Sequence, residues 1–473
     1  METNDDNQWE DEEMIKEAVS RFEAMLSSHS TSYFDAEEFE WIIDYYMQND
    51  DLKKSREAVD IAIAQHPENN NLKIKNARQF LIENNPRKAL SLLDNTEIDY
   101  DEPDYFLTLG SCYAAIGKSQ KAIDTYTNAL SYFEECERVE LYNAIAFEYQ
   151  NLRDYKTALD YFKKTLKYTD ELDNQYLEIR HCYHFMDNME AAIQFFKLRI
   201  EENPHDRSAW SALGDCYRKL DLLEQAIDSY EYVLAIEPNN LWANMHIANA
   251  YYDLERYNEA IDTLKEALNN NVETSLIHCL LGDCYSRIEN ANNALIHYNK
   301  ALKINEYLPE AWAGIGFIYS DQNKSEIAIK YFEKAHRLEP SNSDHLYVLA
   351  SEYRKIDDFD KAMQCLLQVE DMEPEDEDLY FFLADLLTAQ GKYDEVEETL
   401  KLGLKRTDNA PSLSYYLAYI YLLKGEKEMG LSILDIALSA DFEGHKDFIE
   451  LNPEMLNNDI EVLELINLYK QKQ

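Results

Sequence analysis

The sequence predicts an all-α solenoid: antiparallel helix hairpins stacked in tandem rather than one compact core. Three observations predict it. One pattern returns every 34 residues along most of the 473-residue chain, small and aromatic residues hold set positions within it, and Gly, Asn, Asp and Pro mark its turns.

The pattern is clearest in Trp210-x-x-Leu213-Gly214-x-x-Tyr217, followed by Ala226, Tyr230 and Pro238. A second copy runs Trp312, Ile315, Gly316, Tyr319, Ala328, Phe332, Pro340. With Arg207 as position 1, twelve repeats start at Ala36, Asn70, Pro103, Val139, Asp173, Arg207, Leu241, Ser275, Pro309, Ser343, Glu377 and Pro411. The spacing is 34 apart from 33 after Asn70 and 36 after Pro103.

Each position has a physical task. Position 8 is small where two helices of a hairpin cross closely, as Gly110, Gly214, Gly282 and Gly316 illustrate. Position 20 is the facing small residue, alanine from Ala89 through Ala362. Position 11 is aromatic in eleven repeats, nearly always tyrosine, which can fill the seam between neighbouring helices while its hydroxyl reaches a polar edge. Position 24 is aliphatic or aromatic, as in Tyr126, Phe162, Phe196, Tyr298 and Leu366. Ile43 and Arg180 stand at position 8 where a small residue belongs, so those two hairpins are expected to pack less closely.

Turns fall between the helices at Gly117-Lys118-Ser119, Asp187-Asn188, Asp357-Asp358, Gly391-Lys392 and Gly425-Glu426. Pro67, Pro204, Pro238, Pro340 and Pro374 stop the second helices. Residues 8–28 read as a helix with Met14, Ala18, Phe22 and Met25 on one face. Leu456, Ile460, Leu463 and Ile466 recur at helical spacing after Asn452-Pro453. The expected organisation is an acidic segment with a capping helix over 1–35, twelve repeats over 36–444 and a capping helix over 445–473, because an uncapped solenoid exposes apolar surface. The first few residues are expected to be disordered.

This pattern resembles the tetratricopeptide repeat family over residues 36–444. The resemblance implies a right-handed superhelix whose first helices line a concave groove, and a non-enzymatic scaffold that binds other proteins. Members that bind chaperone tails use Lys at position 5 and Asn at position 9 of one repeat; here Asn249 stands at position 9 but Met245 at position 5, so that clamp is not expected.

Composition bounds the partners. Net charge is −47, from 92 acidic and 45 basic residues, a field that repels nucleic-acid phosphate and anionic membranes. Solubility of an extended surface accounts for the charge without a basic partner. No apolar run spans a membrane, the acidic N-terminus is unlike a signal peptide, and seven cysteines, an odd number, fit a reducing cytoplasm. Four of them, Cys112, Cys182, Cys216 and Cys284, share position 10, a structural slot. No motif for a nucleophile, phosphate loop or zinc protease occurs, and the repeats leave no stretch for a catalytic domain. We therefore expect no enzyme and no cofactor.

Positions 2, 5, 9 and 12 of the first helices should face the groove. They carry eleven acids: Glu37, Glu40, Asp44, Asp104, Glu140, Asp215, Asp283, Glu310, Asp344, Asp378 and Asp385. Against these stand Arg78, Arg218 and Arg354. Six of the acids sit at position 2, where a carboxylate stabilises the helix dipole, which leaves a mixed surface. The same positions carry Phe147, Trp242, Met245, Tyr252, Phe317, Tyr347, Phe381, Tyr415 and Tyr419, together with Asn249, His181 and His184. Aromatics beside Arg and Asp suit peptide contacts. His181 and His184, with Asp215, have the spacing of a metal site, but ordinary groove-lining histidines are the expected reading.

The leading expectation is thus a cytoplasmic adaptor holding a peptide or helix of another protein. The alternative is a structural scaffold or homo-oligomer working through helix edges and caps. Metal binding or catalysis at His181 and His184 stands third.

Overall fold

The computed structural model describes residues 4–28, 31–94, 103–135, 138–169, 172–270 and 274–471, with side chains from Met14 onward apart from that of Pro103. The acidic start Met1-Glu2-Thr3 and Cys136 lie outside the described residues, among which no strand occurs. The chain divides into two compact units, Met1–Glu237 and Pro238–Gln473.

The N-terminal unit opens with α1 (Asn4–Ser28). Six hairpins follow: α2 (Ala36–Gln48) with α3 (Leu52–Gln65), α4 (Asn70–Ile82) with α5 (Pro86–Leu93), α6 (Pro103–Ala115) with α7 (Ser119–Ala129), α8 (Val139–Asn151) with α9 (Tyr155–Thr165), α10 (Leu172–Phe185) with α11 (Met189–Glu202), and α12 (Arg207–Lys219) with α13 (Leu223–Ile236). The C-terminal unit has α14 (Leu241–Asp253) with α15 (Tyr257–Asn269), α16 (Ser275–Arg287) with α17 (Ala291–Ile304), α18 (Pro309–Asp321) with α19 (Ser325–Leu338), α20 (Ser343–Lys355) with α21 (Phe359–Met372), α22 (Glu377–Ala389) with α23 (Tyr393–Arg406), and α24 (Pro411–Leu423) with α25 (Lys427–Ala440). It ends in α26 (His445–Leu451), α27 (Pro453–Leu456) and α28 (Ile460–Lys470). The first helices begin where the repeat register places them, α10 one residue early.

Position 15 closes each hairpin. There Asp50, Asn84, Gly117, Arg153, Asp187, Asp221, Glu255, Glu289, Asn323, Asp357, Gly391 and Gly425 all take positive φ. The following N–H donates back to the carbonyl of position 11, as Lys118 does to Tyr113 and Asp358 to Tyr353, so the first helix ends in a Schellman turn. The Gly, Asn and Asp clusters announced this turn; Arg153, Glu255 and Glu289 adopt it without that chemistry, because a residue five back and the packed second helix dictate the reversal.

Position 8 gains a sharper reason. A Cβ on Gly110, Gly214, Gly282 or Gly316 would lie 2.0, 2.6, 2.5 and 2.7 Å from the ring of Tyr126, Tyr230, Tyr298 and Phe332. These rings are position 24 of the same repeat, so position 8 is small to seat that ring. Position 11 locks neighbours: Lys163, Lys197 and Lys265, each on the preceding second helix, lie over the rings of Tyr183, Tyr217 and Tyr285. Tyr353 Oη donates to Glu333 across the same seam.

At the chain ends the apolar faces differ from expectation. Phe22 packs edge-on against Phe34 and Phe39, with Ala18, Val19 and Met25 buried beside it. Met14 is 45% exposed, lying beyond the part of α1 that α2 covers. Three helices rather than one follow the last hairpin. Leu456, Val462 and Ile466 bury the seam, Leu463 is partly buried and Ile460 faces solvent, because α28 starts afresh at the Asp459 N-cap and turns Val462 inward.

Candidate functional site on the first helices

Four of the eleven acids expected to charge the groove are engaged within the protein. Lys75 Nζ donates to both oxygens of Asp44 at 2.7 and 2.8 Å. Tyr230 Oη donates to Asp215 and Tyr298 Oη to Asp283, both at 2.6 Å. Arg354 pairs with Asp385 at 2.9 Å. Burial pushes the carboxyl of Asp283 up to about 6, with Glu310 adding to the rise while Tyr298 and Arg287 oppose it. Burial also raises Asp385 against the pull of Arg354. Asp44 and Asp385 tie neighbouring repeats together, while Asp215 and Asp283 fasten the two helices of their own hairpins.

A rule links positions 9 and 24. Where position 24 is tyrosine, position 9 offers an oxygen: Ser111 with Tyr126, Asp215 with Tyr230, Asp283 with Tyr298. Where it is phenylalanine, position 9 is an aromatic in two repeats, Phe147 edge-on to Phe162 and Phe317 edge-on to Phe332. The α10–α11 repeat departs from both: His181 stands at position 9, Phe196 at position 24 and Arg180 at position 8. An arginine cannot lie between the two helices beside a fully buried Phe196. Its guanidinium instead reaches Asp215 on α12, and α10 and α11 are the most loosely joined of the pairs.

Around this ion pair lies a cleft of ≈ 380 Å³ lined by Leu177, Arg180, His181, His184, Met189, Asp215, Arg218 and Lys219. Four residues expected at the site, His181, His184, Asp215 and Arg218, are thus brought together within the N-terminal unit. His181 lies 3.4 Å from Gln150 Nε2 and packs against Phe185. Both histidines, Arg218 and Lys219 are exposed, and Leu177 is 50% exposed. Lys219, Leu177 and Met189 were not foreseen; Arg180 at a position for a small residue signalled only that this hairpin departs from the others. Among the described residues no group of three or more His, Cys, Asp or Glu could hold a metal ion, and Asp215 is turned to Arg180 and Tyr230.

Elsewhere the expected residues divide by exposure. Phe147 on α8 is 44% exposed. In the C-terminal unit Trp242 is 64% and Phe317 47% exposed, while Met245 and Asn249 are half-buried. Tyr252 accepts a 2.5 Å hydrogen bond from Arg287. Tyr347 is half-buried, bonded to Asp376 and parallel to Phe382. Phe381 stands edge-on to Tyr416 at its exposed end. Tyr415 and Tyr419 are corrections: both are buried, Tyr415 under α26, its Oη donating to the carbonyl of Asp441 and its ring against Phe448, and Tyr419 edge-on to Tyr416. The six described cysteines are unpaired and buried, and burial lifts the Cys182 and Cys216 thiols to about 11 and about 12, away from reactivity. No helix among the described residues is long and apolar enough to cross a membrane.

Comparison with known proteins agrees with this architecture. Residues 197–413 match the family described as the C-terminal domain of cilia and flagella-associated protein 70, and residues 139–171 match the tetratricopeptide repeat. No curated protein matched. Among solved structures, the Cut9–Hcn1 hetero-tetramer of APC/C is 14% identical, covering 88% of this chain and 94% of that one at a TM-score of 0.41. PilF of Pseudomonas aeruginosa is 21% identical over 46% of this chain and 98% of its own, at 0.38. YrrB, described as a TPR protein with an unusual peptide-binding site, is 24% identical over 41% and 97%, at 0.32. With its 34-residue register, its tandem helix hairpins and the two family matches, the chain is a tetratricopeptide repeat protein.

Proposed function

We propose that this chain is a non-enzymatic adaptor that holds a peptide or helix of another protein against its first helices. One observation carries the reading: large apolar side chains stand in solvent there, Phe147, Trp242 and Phe317 among them. A folded chain gains nothing from exposing a tryptophan to 64%, and rigid aromatics of this kind carry most of the energy in peptide contacts. Six unpaired buried cysteines suit a reducing compartment, and we place the protein in the cytoplasm.

The test is recovery of partners from an extract of the native cell, with wild type compared against Trp242→Ala plus Arg354→Glu, and against Phe147→Ala. Loss of a central aromatic should weaken a genuine partner by about 2 kcal/mol, roughly thirtyfold. Equal recovery by all three proteins would sink the proposal.

A further inference from the structure

The cleft between α10 and α12 differs in chemistry from the rest of the first-helix surface. Its one acid, Asp215, is already engaged by Arg180 and Tyr230. What the cleft presents outward is cationic or imidazole: Arg218, which also lies close enough to bond Tyr230, then Lys219, His181 and His184. Among the described residues Lys219 has no acidic partner. Below them lie Leu177, half exposed, and Met189. A basic rim over an apolar floor, in a chain of net charge −47, is a local reversal of sign that folding does not need.

We infer that this cleft takes an acidic peptide segment, with Asp or Glu carboxylates on Arg218 and Lys219 and an apolar residue against Leu177 and Met189. The inference rests on the adaptor reading and supplies its partner chemistry for the N-terminal unit. The acidic field of the whole chain does not forbid it. At about 0.15 M salt the Debye length is about 8 Å, so distant carboxylates are screened while direct pairs in the cleft persist. Arg and Lys serve carboxylates through charge-assisted hydrogen bonds, and the ≈ 380 Å³ of space accommodates a few side chains. Arg180 lines this cleft and engages its one acid, Asp215, so the carboxylate that would neutralise the cleft is already spent.

The experiment uses the full chain at about 0.15 M salt and short fluorescein-labelled peptides of repeated Glu-Glu-Leu, Ser-Ser-Leu and Lys-Lys-Leu of equal length, read by fluorescence anisotropy. The acidic peptide should bind at least about tenfold tighter than the neutral one. Lys219→Glu should remove most of that preference, and Arg218→Glu plus Lys219→Glu all of it. Lys219 is exposed and, among the described residues, has no acidic partner, so Lys219→Glu guards against a fold defect in the double variant. Equal binding of the neutral peptide, preference for the basic one, or an unchanged Lys219→Glu overturns the inference. So does full competition by inorganic phosphate, which would reassign the cleft to a small anion. If peptides show no charge preference while Trp242→Ala plus Arg354→Glu still loses partners, the adaptor reading stands and the acidic chemistry falls. If no variant changes recovery or peptide binding, both fall.

Discussion

Two adjacent hairpins of the N-terminal unit occupy the same slots with different residues. In α12–α13, Gly214 seats the ring of Tyr230, whose hydroxyl returns to Asp215, so the hairpin is zipped by packing and by a hydrogen bond. In α10–α11 the corresponding residues are Arg180, Phe196 and His181, and no such bond is possible. Arg180 turns to the next repeat and pairs with Asp215, and the two line a cleft between α10 and α12. The repeat is a closed packing scheme, and a residue too large for its slot redirects its contacts to the next repeat.

The comparison breaks most visibly at position 8. Gly214→Val would drive a Cβ against a fully buried ring and should cost about 3 kcal/mol in chemical denaturation. Arg180→Ala, in the hairpin that never closed, should cost under about 1.5 kcal/mol, the worth of a partly exposed ion pair. Equal losses would mean the two hairpins are packed alike. Tyr230→Phe is the next largest effect: it keeps the ring and removes the hydroxyl, leaving Asp215 to Arg180 alone, for about 1–2 kcal/mol. Phe196→Tyr should gain nothing, since His181 stands where the partner oxygen belongs.

Asp283 sharpens the same comparison through pH. It repeats the bond of Asp215, Tyr298 donating, but its carboxyl sits at about 6 rather than near 3.8. A carboxyl raised in the fold favours the protonated state. Its contribution is therefore present below about 3.8 and lost as pH rises through about 6. Asp283→Asn, which still offers Tyr298 an oxygen, should stabilise by on the order of 1 kcal/mol at pH 7.5 and far less at pH 5. A gain independent of pH would show that the charge was not the cause.

Much of this was legible in the sequence, for a reason visible in Gly214 and Tyr217: each repeat packs on its neighbours, so local pattern and tertiary contact carry the same period. The looseness of the Arg180 hairpin could be foreseen as well, since a large residue in a small slot is a local contradiction. Partner choice inside the protein was harder. Asp215, Asp283 and Asp385 look alike as groove acids, and which tyrosine or arginine claims each depends on a residue 15 or 31 positions away. Tyr415 was misplaced because its burial is set by Phe448 of α26, which lies outside the period.

The smallest effect concerns the turn that both hairpins share. Arg153 holds φ 60° at position 15 of the α8–α9 repeat, a conformation that costs an L-residue about 1 kcal/mol and glycine nothing. Gly117, Gly391 and Gly425 occupy the same slot elsewhere. Replacing Arg153 by glycine removes the strain but gives the unfolded chain more freedom, which returns part of the gain. The net should be a stabilisation of about 0.5 kcal/mol, read as a raised denaturation midpoint with an unchanged slope. The corresponding change in the cleft-bearing repeat, Asp187→Gly at φ 51°, should gain less, because aspartate visits this region more readily than arginine. If Arg153→Gly destabilises instead, the turn is held by the arginine side chain rather than tolerated in spite of it.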